Sequence, residues 1–285
     1  MPPPANAPIP PVSLVLVGAA GRMGRAIARL ALAGDPPGLS ILAAFDRPGV
    51  PGIDTDVAAL SGLPPCGVPL SPADAFATFL SSPLPPRTVV VDFSSPDSVR
   101  DRLPAIASAR VPWVVGTTGI PPVTQALLDG LPSAVLQAAN MSLGVNLLRS
   151  LVALAASALK DRGFDCEIVE RHHRLKKDAP SGTALFLGQA VADSYGWSLP
   201  ETAVHGRSGL PGPRPEREIG FHAVRGGDIL GDHSVLFAAS GELLELSHRI
   251  TSRDTLARGA LLAALFLAGK TSGHYTMNDV LGIPT

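Results

Sequence analysis

The chain has 285 residues, of which 46% are hydrophobic and 16% charged, and its formal net charge is -1. That length admits one or two cores of ordinary size, and the apolar content excludes an intrinsically disordered chain. The near-neutral charge removes the broad attraction on which nonspecific binding to nucleic acid or anionic membrane depends, so any basic site is local.

The opening MPPPANAPIPPVS has neither a charged n-region nor an apolar h-region, so residues 1–11 read as a short disordered tail and the compartment as cytoplasmic. From Val12 the runs VSLVLV, ILAAF, TVVVDF, WVVGTT and AVLQAA alternate with segments of helical period at Arg22–Ala33, Pro96–Ala109 and Pro121–Asp129. Short apolar runs separated by amphipathic helices are the pattern of repeated βαβ units, hence of a parallel sheet. Loops such as PPGLS, SGLPPCGVP and SSPLPP are dense in chain breakers.

The texture changes near Leu143, where a long helix to about Lys160 is followed by a strand-like FDCEIVERHH, a Gly/Pro-rich loop and three strand-like runs up to Ile250. This reads as a second, α+β domain. The segment Ser252–Gly269 is again helical, and pattern alone does not say which domain it joins. The longest apolar stretches, at 143–159 and 261–268, are broken by Asn146 and Arg149 or are too short, so no membrane span is expected. Cys66 and Cys166 lack CxxC spacing, which predicts two buried free thiols and neither a disulfide nor a metal site.

Gly18, Gly21 and Gly24 fall between a strand and a helix, where glycines let the backbone approach a pyrophosphate and the helix N-terminus holds its charge. The spacing is GxxGxxG, and taken alone it describes a tight turn equally well. The next strand ends at Asp46, where a carboxylate meets adenosine ribose hydroxyls and favours NADH; Arg47 follows, and a guanidinium there serves a 2′-phosphate, so NADPH stays open. A further βα loop, Gly116-Thr117-Thr118-Gly119, lines the same crevice in such a sheet.

The segment ERHHRLKKDAPSGT, from Glu170 to Thr183, concentrates basic and titratable groups in an otherwise nearly neutral chain. Ser181-Gly182-Thr183 precede the apolar helical run ALFLGQAVAD, so helix-start N–H groups face whatever binds there. A small dianion suits this combination, with His172, His173, Lys176, Gly182 and Thr183 as its ligands. Against it stand a solvated charged face and a nucleic-acid patch, the latter opposed by the lack of interleaved aromatics. At the level of the whole chain the alternatives are another two-domain nicotinamide dehydrogenase, for an amino or hydroxy acid, and a non-catalytic dinucleotide sensor.

These motifs, with VDFSSP at 91–96, AANMSLGVN at 138–146, RGGDILGDH from Arg225, ELSHRITSR from Glu245 and MNDVLG from Met277, resemble the 4-hydroxy-tetrahydrodipicolinate reductase family over nearly the whole chain. The resemblance implies a Rossmann-like parallel-sheet domain at 12–142 and 252–285, and a smaller α+β domain at 143–251 that binds substrate and forms a homotetramer. It implies NADH or NADPH as cofactor, no metal, and a small dianionic cyclic substrate. His172 matches the family's general acid, Lys176 its second catalytic residue, His173 a substrate contact, and Gly182 with Thr183 the carboxylate-binding pair. Cofactor contacts fall on Gly18, Ala19, Ala20, Gly21, Arg22, Met23, Asp46, Arg47, Gly116, Thr117, Thr118, Ala138, Ala139, Asn140 and Met141. Many relatives carry Phe at the position of Met141.

Overall fold

The computed structural model describes residues 10–284; most of the tail expected at 1–11 therefore lies outside the described residues. The chain opens β1(Val12–Val17), α1(Arg22–Leu32), β2(Leu39–Asp46), β3(Leu70–Pro72), α2(Phe76–Leu80), β4(Thr88–Asp92), α3(Pro96–Ala109), β5(Trp113–Val115), α4(Pro122–Asp129) and β6(Ala134–Gln137). It continues α5(Leu143–Leu159), β7(Asp165–His172), α6(Gly182–Tyr195), α7(Leu199–Thr202), β8(Ala203–His205), β9(Ile219–Arg225), β10(Asp232–Ala239) and β11(Glu242–Arg249). It closes with α8(Asp254–Leu267), β12(Gly273–Tyr275) and α9(Met277–Leu281).

Two compact units result: residues 1–142 with 254–285, and residues 143–253. In the first, seven parallel strands take the order β12-β6-β5-β4-β1-β2-β3. The order 3-2-1-4-5-6 within it is that of a dinucleotide-binding sheet, with its switch point between β1 and β4. β1 is buried at all six positions because helices cover both faces of a parallel sheet, which is why it reads as an unbroken apolar run. Phe45, Phe76, Ile106 and Trp113 fill one side of this core. α8 packs on α1 and on β4 and β5, so the last long helix belongs to this unit.

The second unit has five strands in the order β11-β10-β7-β9-β8, with β10 antiparallel to both neighbours and the rest parallel. α5 and α6 cover one face, burying Val152, Leu187 and Val191 with Ile168, Phe221 and Phe237. The other face carries a polar lattice around Glu167, whose carboxylate accepts from Arg207, Arg214 and His222.

β3, β8 and β12 were not distinguished as separate strands by pattern; each has three residues and so no alternation to read. β2 also starts inside PPGLS, at Leu39. Cys166 is buried, but Cys66 is only partly so, and its Sγ donates to Asp56 at 3.4 Å. No helix among the described residues is long and apolar enough to cross a membrane.

Two close approaches fix the β1–α1 turn. Gly18 has φ +74°, and a Cβ there would lie 2.5 Å from the Phe93 carbonyl oxygen; a Cβ at Gly24 would lie 2.3 Å from that of Gly18. A third locks α8, where a Cβ at Gly259 would sit 1.7 Å from the Met141 carbonyl oxygen. Gly259→Ala is therefore expected to cost about 1–3 kcal/mol of stability through overpacking, read as a lower urea midpoint. An unchanged midpoint would mean that α8 moves away from Met141 without strain.

Candidate active site

The first unit offers a dinucleotide site at its switch point. A cavity of about 380 Å³ is lined by Gly18, Ala20, Gly21, Asp46 and Arg47 from one side, and by Phe93, Ser94, Ser95, Ser98 and Arg102 from the other. Gly21 caps α1 with extended backbone, so the first N–H groups of that helix have no intrahelical partner and face outward. Asp46 closes the turn: Oδ2 accepts from the Ala20 N–H at 2.9 Å and Oδ1 from the Arg47 N–H at 2.8 Å.

A second cavity of about 180 Å³ is lined by Met23, Phe93, Gly116 and the 138–141 segment. Met141 is almost fully buried there, filling the wall with a thioether where an aromatic ring was in question. Of the remaining sequence-predicted cofactor residues, Ala19 is buried, Arg22 and Thr118 are exposed, and Thr117 turns inward to accept from the Ser94 N–H at 3.1 Å. None of these four lines either cavity.

Sequence reasoning did not single out Ser94, Ser98 or Arg102 for the first cavity. Arg102 is only 6% exposed, bonds to Ser98, and lies 5.2 Å from the Phe76 ring centroid. In a linear sequence an arginine in the middle of α3 looks solvent-facing; its place in the cavity wall follows from the packing of α3. Asp92, at the end of β4, is fully buried, and burial pushes its carboxyl up despite the Ser94 hydrogen bonds.

The second unit builds its site at one end of β7. Alternation along that strand sends Cys166, Ile168, Glu170 and His172 to the covered face. His172 and Glu170 are thus neighbours, with His172 Nδ1 2.5 Å from Glu170 Oε2. From β9, Arg225 donates to both oxygens of the Glu170 carboxylate at 2.7 Å, a bidentate charge-assisted pair. From β10, His233 sets its ring 5.1 Å from that of His172 and its Nε2 2.9 Å from Ser181 Oγ.

Ser181 then caps α6, its Oγ accepting from the Ala184 N–H at 3.1 Å while its own N–H donates to Glu170 Oε1 at 3.1 Å. Gly182 and Thr183 become the first two residues of a 14-residue helix. The site therefore has the positive end of a helix dipole as well as Lys176, whose Nζ is 3.0 Å from Asp178. His173 is half-buried.

The protonation states follow from these contacts. Burial pushes Glu170 up, but hydrogen bonds from Arg225 and His172 outweigh it and hold the carboxyl below its ordinary range. Burial lowers His172, and Lys176 and Arg225 add to that, while Glu170 opposes. With Glu170 ionised, neutral His172 carries its proton on Nδ1 and leaves Nε2 as an acceptor. Glu170, Arg225 and His233 were visible in motifs but had no role assigned; strand alternation, which puts residues two apart on one face, is the signal that would have found Glu170, whereas Arg225 and His233 arrive only through strand pairing.

Two family models match the chain: "Dihydrodipicolinate reductase, N-terminus" over residues 12–141 and "Dihydrodipicolinate reductase, C-terminus" over residues 144–281. A 4-hydroxy-tetrahydrodipicolinate reductase from Thiobacillus denitrificans is 46% identical over 274 residues, covering 95% of this chain and 99% of its own. Its counterpart from Allorhizobium ampelinum is 43% identical, covering 95% and 98%. Among solved structures, the dipicolinate-bound dihydrodipicolinate reductase of Paenisporosarcina sp. TG-14 aligns with a TM-score of 0.71 at 21% identity, over 93% of this chain and 97% of its own. An amine dehydrogenase from Mycobacterium smegmatis has a TM-score of 0.55 at 14% identity, over 94% and 95%. These structural likenesses concern the fold.

Burial, and then the adjacent His172, hold His233 at about 4, below its ordinary 6.5. It is therefore neutral in the folded protein, and its contribution to stability is complete above about pH 6.5 and lost as pH falls through about 4. Unfolding measured against pH is expected to lose up to about 3 kcal/mol across that window, and His233→Asn to flatten the slope. A slope unaltered in the variant would assign the titration to another group.

Proposed function

The chain belongs to the dihydrodipicolinate reductase family and reduces 4-hydroxy-tetrahydrodipicolinate to tetrahydrodipicolinate on the diaminopimelate route to lysine; from that premise we propose how its residues divide the work. The unit formed by 1–142 and 254–285 holds the nicotinamide dinucleotide, and residues 143–253 hold the substrate. The observation that carries the reading is the α6 N-terminus, where Gly182 and Thr183 stand beside a basic segment and a buried imidazole. A ring with two carboxylates needs that set of donors, and dipicolinate, the compound bound by the Paenisporosarcina relative, is of this class.

The first unit fits a dinucleotide on its own geometry. The turn at Gly18–Gly21 is packed too closely against Phe93 and itself to carry side chains, the α1 N–H groups suit a pyrophosphate, and Asp46 with Arg47 lines the cavity. When bound, the reduced dinucleotide would supply the hydride that ends on C4 of the conjugated cyclic imine left once the substrate's 4-hydroxyl has departed as water. In its protonated form His172 donates, from Nε2, the proton that the ring takes up as its electron density shifts, while Nδ1–H stays with Glu170. Lys176 stabilises the negative charge that develops, and His173, Gly182 and Thr183 orient the carboxylates. A proton donor near neutrality suits imidazole, and a positioned acid contributes about 10²- to 10⁴-fold to rate.

Asp46 retains lone pairs for a ribose hydroxyl although backbone N–H groups occupy part of it, and the exposed Arg47 guanidinium is free to meet a 2′-phosphate. The chain thus uses both NADH and NADPH. It assembles as a homotetramer through the second unit, whose edge strand β11 exposes Leu243 and Leu244.

With substrate generated in place from pyruvate and aspartate semialdehyde, His172→Gln is expected to lower kcat by about 10²- to 10⁴-fold while dinucleotide affinity holds. Equal loss of both would make His172 structural. In the same assay Arg47→Ala is expected to raise KM for NADPH roughly tenfold, the scale of one charge-assisted hydrogen bond, and to spare NADH. A matched rise for both cofactors would remove Arg47 from 2′-phosphate recognition.

A further inference from the structure

Glu170 is 1% exposed, and its two oxygens receive every donor that reaches them from a different part of the unit. Oε2 takes His172 Nδ1 and one Arg225 nitrogen; Oε1 takes the other Arg225 nitrogen and the Ser181 N–H. Arg225 also donates to the Asp178 carbonyl at 2.7 Å, so the loop leading into α6 is held at two points, 178 and 181. We propose that Glu170 is a positioning residue that fixes the tautomer of His172 and, through the same carboxylate, ties that histidine to the loop presenting Gly182 and Thr183. The imidazole and the helix N-terminus are then one rigid piece, so holding a substrate carboxylate also sets the distance to Nε2. This inference rests on the reading of His172 as the acid and of the α6 N-terminus as the carboxylate site.

Gly231 completes the arrangement. A Cβ at that position would lie 3.2 Å from His172 Nε2 and 3.4 Å from its Cδ2, so the missing side chain leaves the working nitrogen uncovered. The charged and titratable groups around His172 come from each packed element: Glu170 on β7, Lys176 in the loop that follows, Arg225 on β9 and His233 on β10. Glu170 favours the imidazolium, whereas Lys176 and Arg225 oppose it, and His233 is neutral beside it. Removing Glu170 or Arg225 therefore moves His172 in opposite directions, which a merely structural pair would not do.

The test combines pH profiles with a measurement that needs no variant of the pair. Activity that requires protonated His172 declines as pH rises through its pKa. Glu170→Gln is expected to shift that decline lower by about one pH unit or more, and Arg225→Gln to shift it higher, the scale of a lost neighbouring charge. Both variants are expected to raise KM for substrate, because each frees the loop before α6, and to leave dinucleotide affinity unchanged. Shifts of the same sign, or none with kcat alone reduced, would overturn the proposal.

Breaking a buried ion pair costs about 3–5 kcal/mol, enough to unfold either variant. The wild-type protein therefore supplies the second arm: ring ¹⁵N shifts of His172, assigned by their disappearance in His172→Gln, are expected to report the Nδ1–H tautomer when neutral. A neutral ring protonated on Nε2 would overturn the proposal regardless of any kinetics. Full turnover in His172→Gln would instead remove the acid role, and the ring shifts would still decide whether Glu170 holds the imidazole.

Discussion

A carboxylate taken out of water loses several kcal/mol of hydration unless donors replace the solvent. Glu170 meets that requirement with a bidentate guanidinium, a backbone N–H and an imidazole, contributed by β9, the α6 cap and β7 itself. Because none of the three can withdraw without stranding the charge, the strand end, the loop and the helix start are specified together. The site of the second unit is organised by this one desolvated group. Ser181 extends the arrangement, since its N–H is committed to Glu170, its hydroxyl oxygen accepts from the Ala184 N–H, and the same oxygen pairs with His233.

The first unit reaches its geometry by a different constraint, the absence of side-chain carbon. Phe93 O against Gly18 and Gly18 O against Gly24 leave no room for a Cβ, so the β1–α1 turn lies close to β4 and α1 packs tightly on the turn. The N–H groups at the start of α1 are left outward, and Asp46 holds the turn shut from β2. Van der Waals contact, rather than ion pairing, shapes the β1–α1 turn, whereas charge organises the end of β7.

Much of this was legible in the sequence. Five strands of the parallel sheet announced themselves because buried strands are unbroken apolar runs, and α1, α3 and α5 because their apolar periods extend over many residues. The segment from Glu170 to Thr183 was conspicuous because its charges stand out against a nearly neutral chain. What stayed hidden depends on contacts distant along the chain. Arg225 joins Glu170 only through the β7–β9 pairing, His233 meets Ser181 only through β10, and Arg102 turns from surface residue to cavity wall only when α3 packs on Phe76. Three-residue strands carry no period, so β3, β8 and β12 had nothing to announce them.

The return of α8 to the first unit has a consequence for how the chain comes off the ribosome. Residues 143–253 are complete as a compact unit once Arg253 has emerged, but the first unit still lacks the helix that packs on α1, β4 and β5. Synthesis at about 5–20 residues per second makes this an interval during which the apolar surfaces of α1 and the sheet are uncovered. The segment translated second can therefore finish folding first, and the older part of the chain waits for its last helix with the side of α1 that meets α8 uncovered. The insertion that gives the chain its second unit thus also delays the closing of the first.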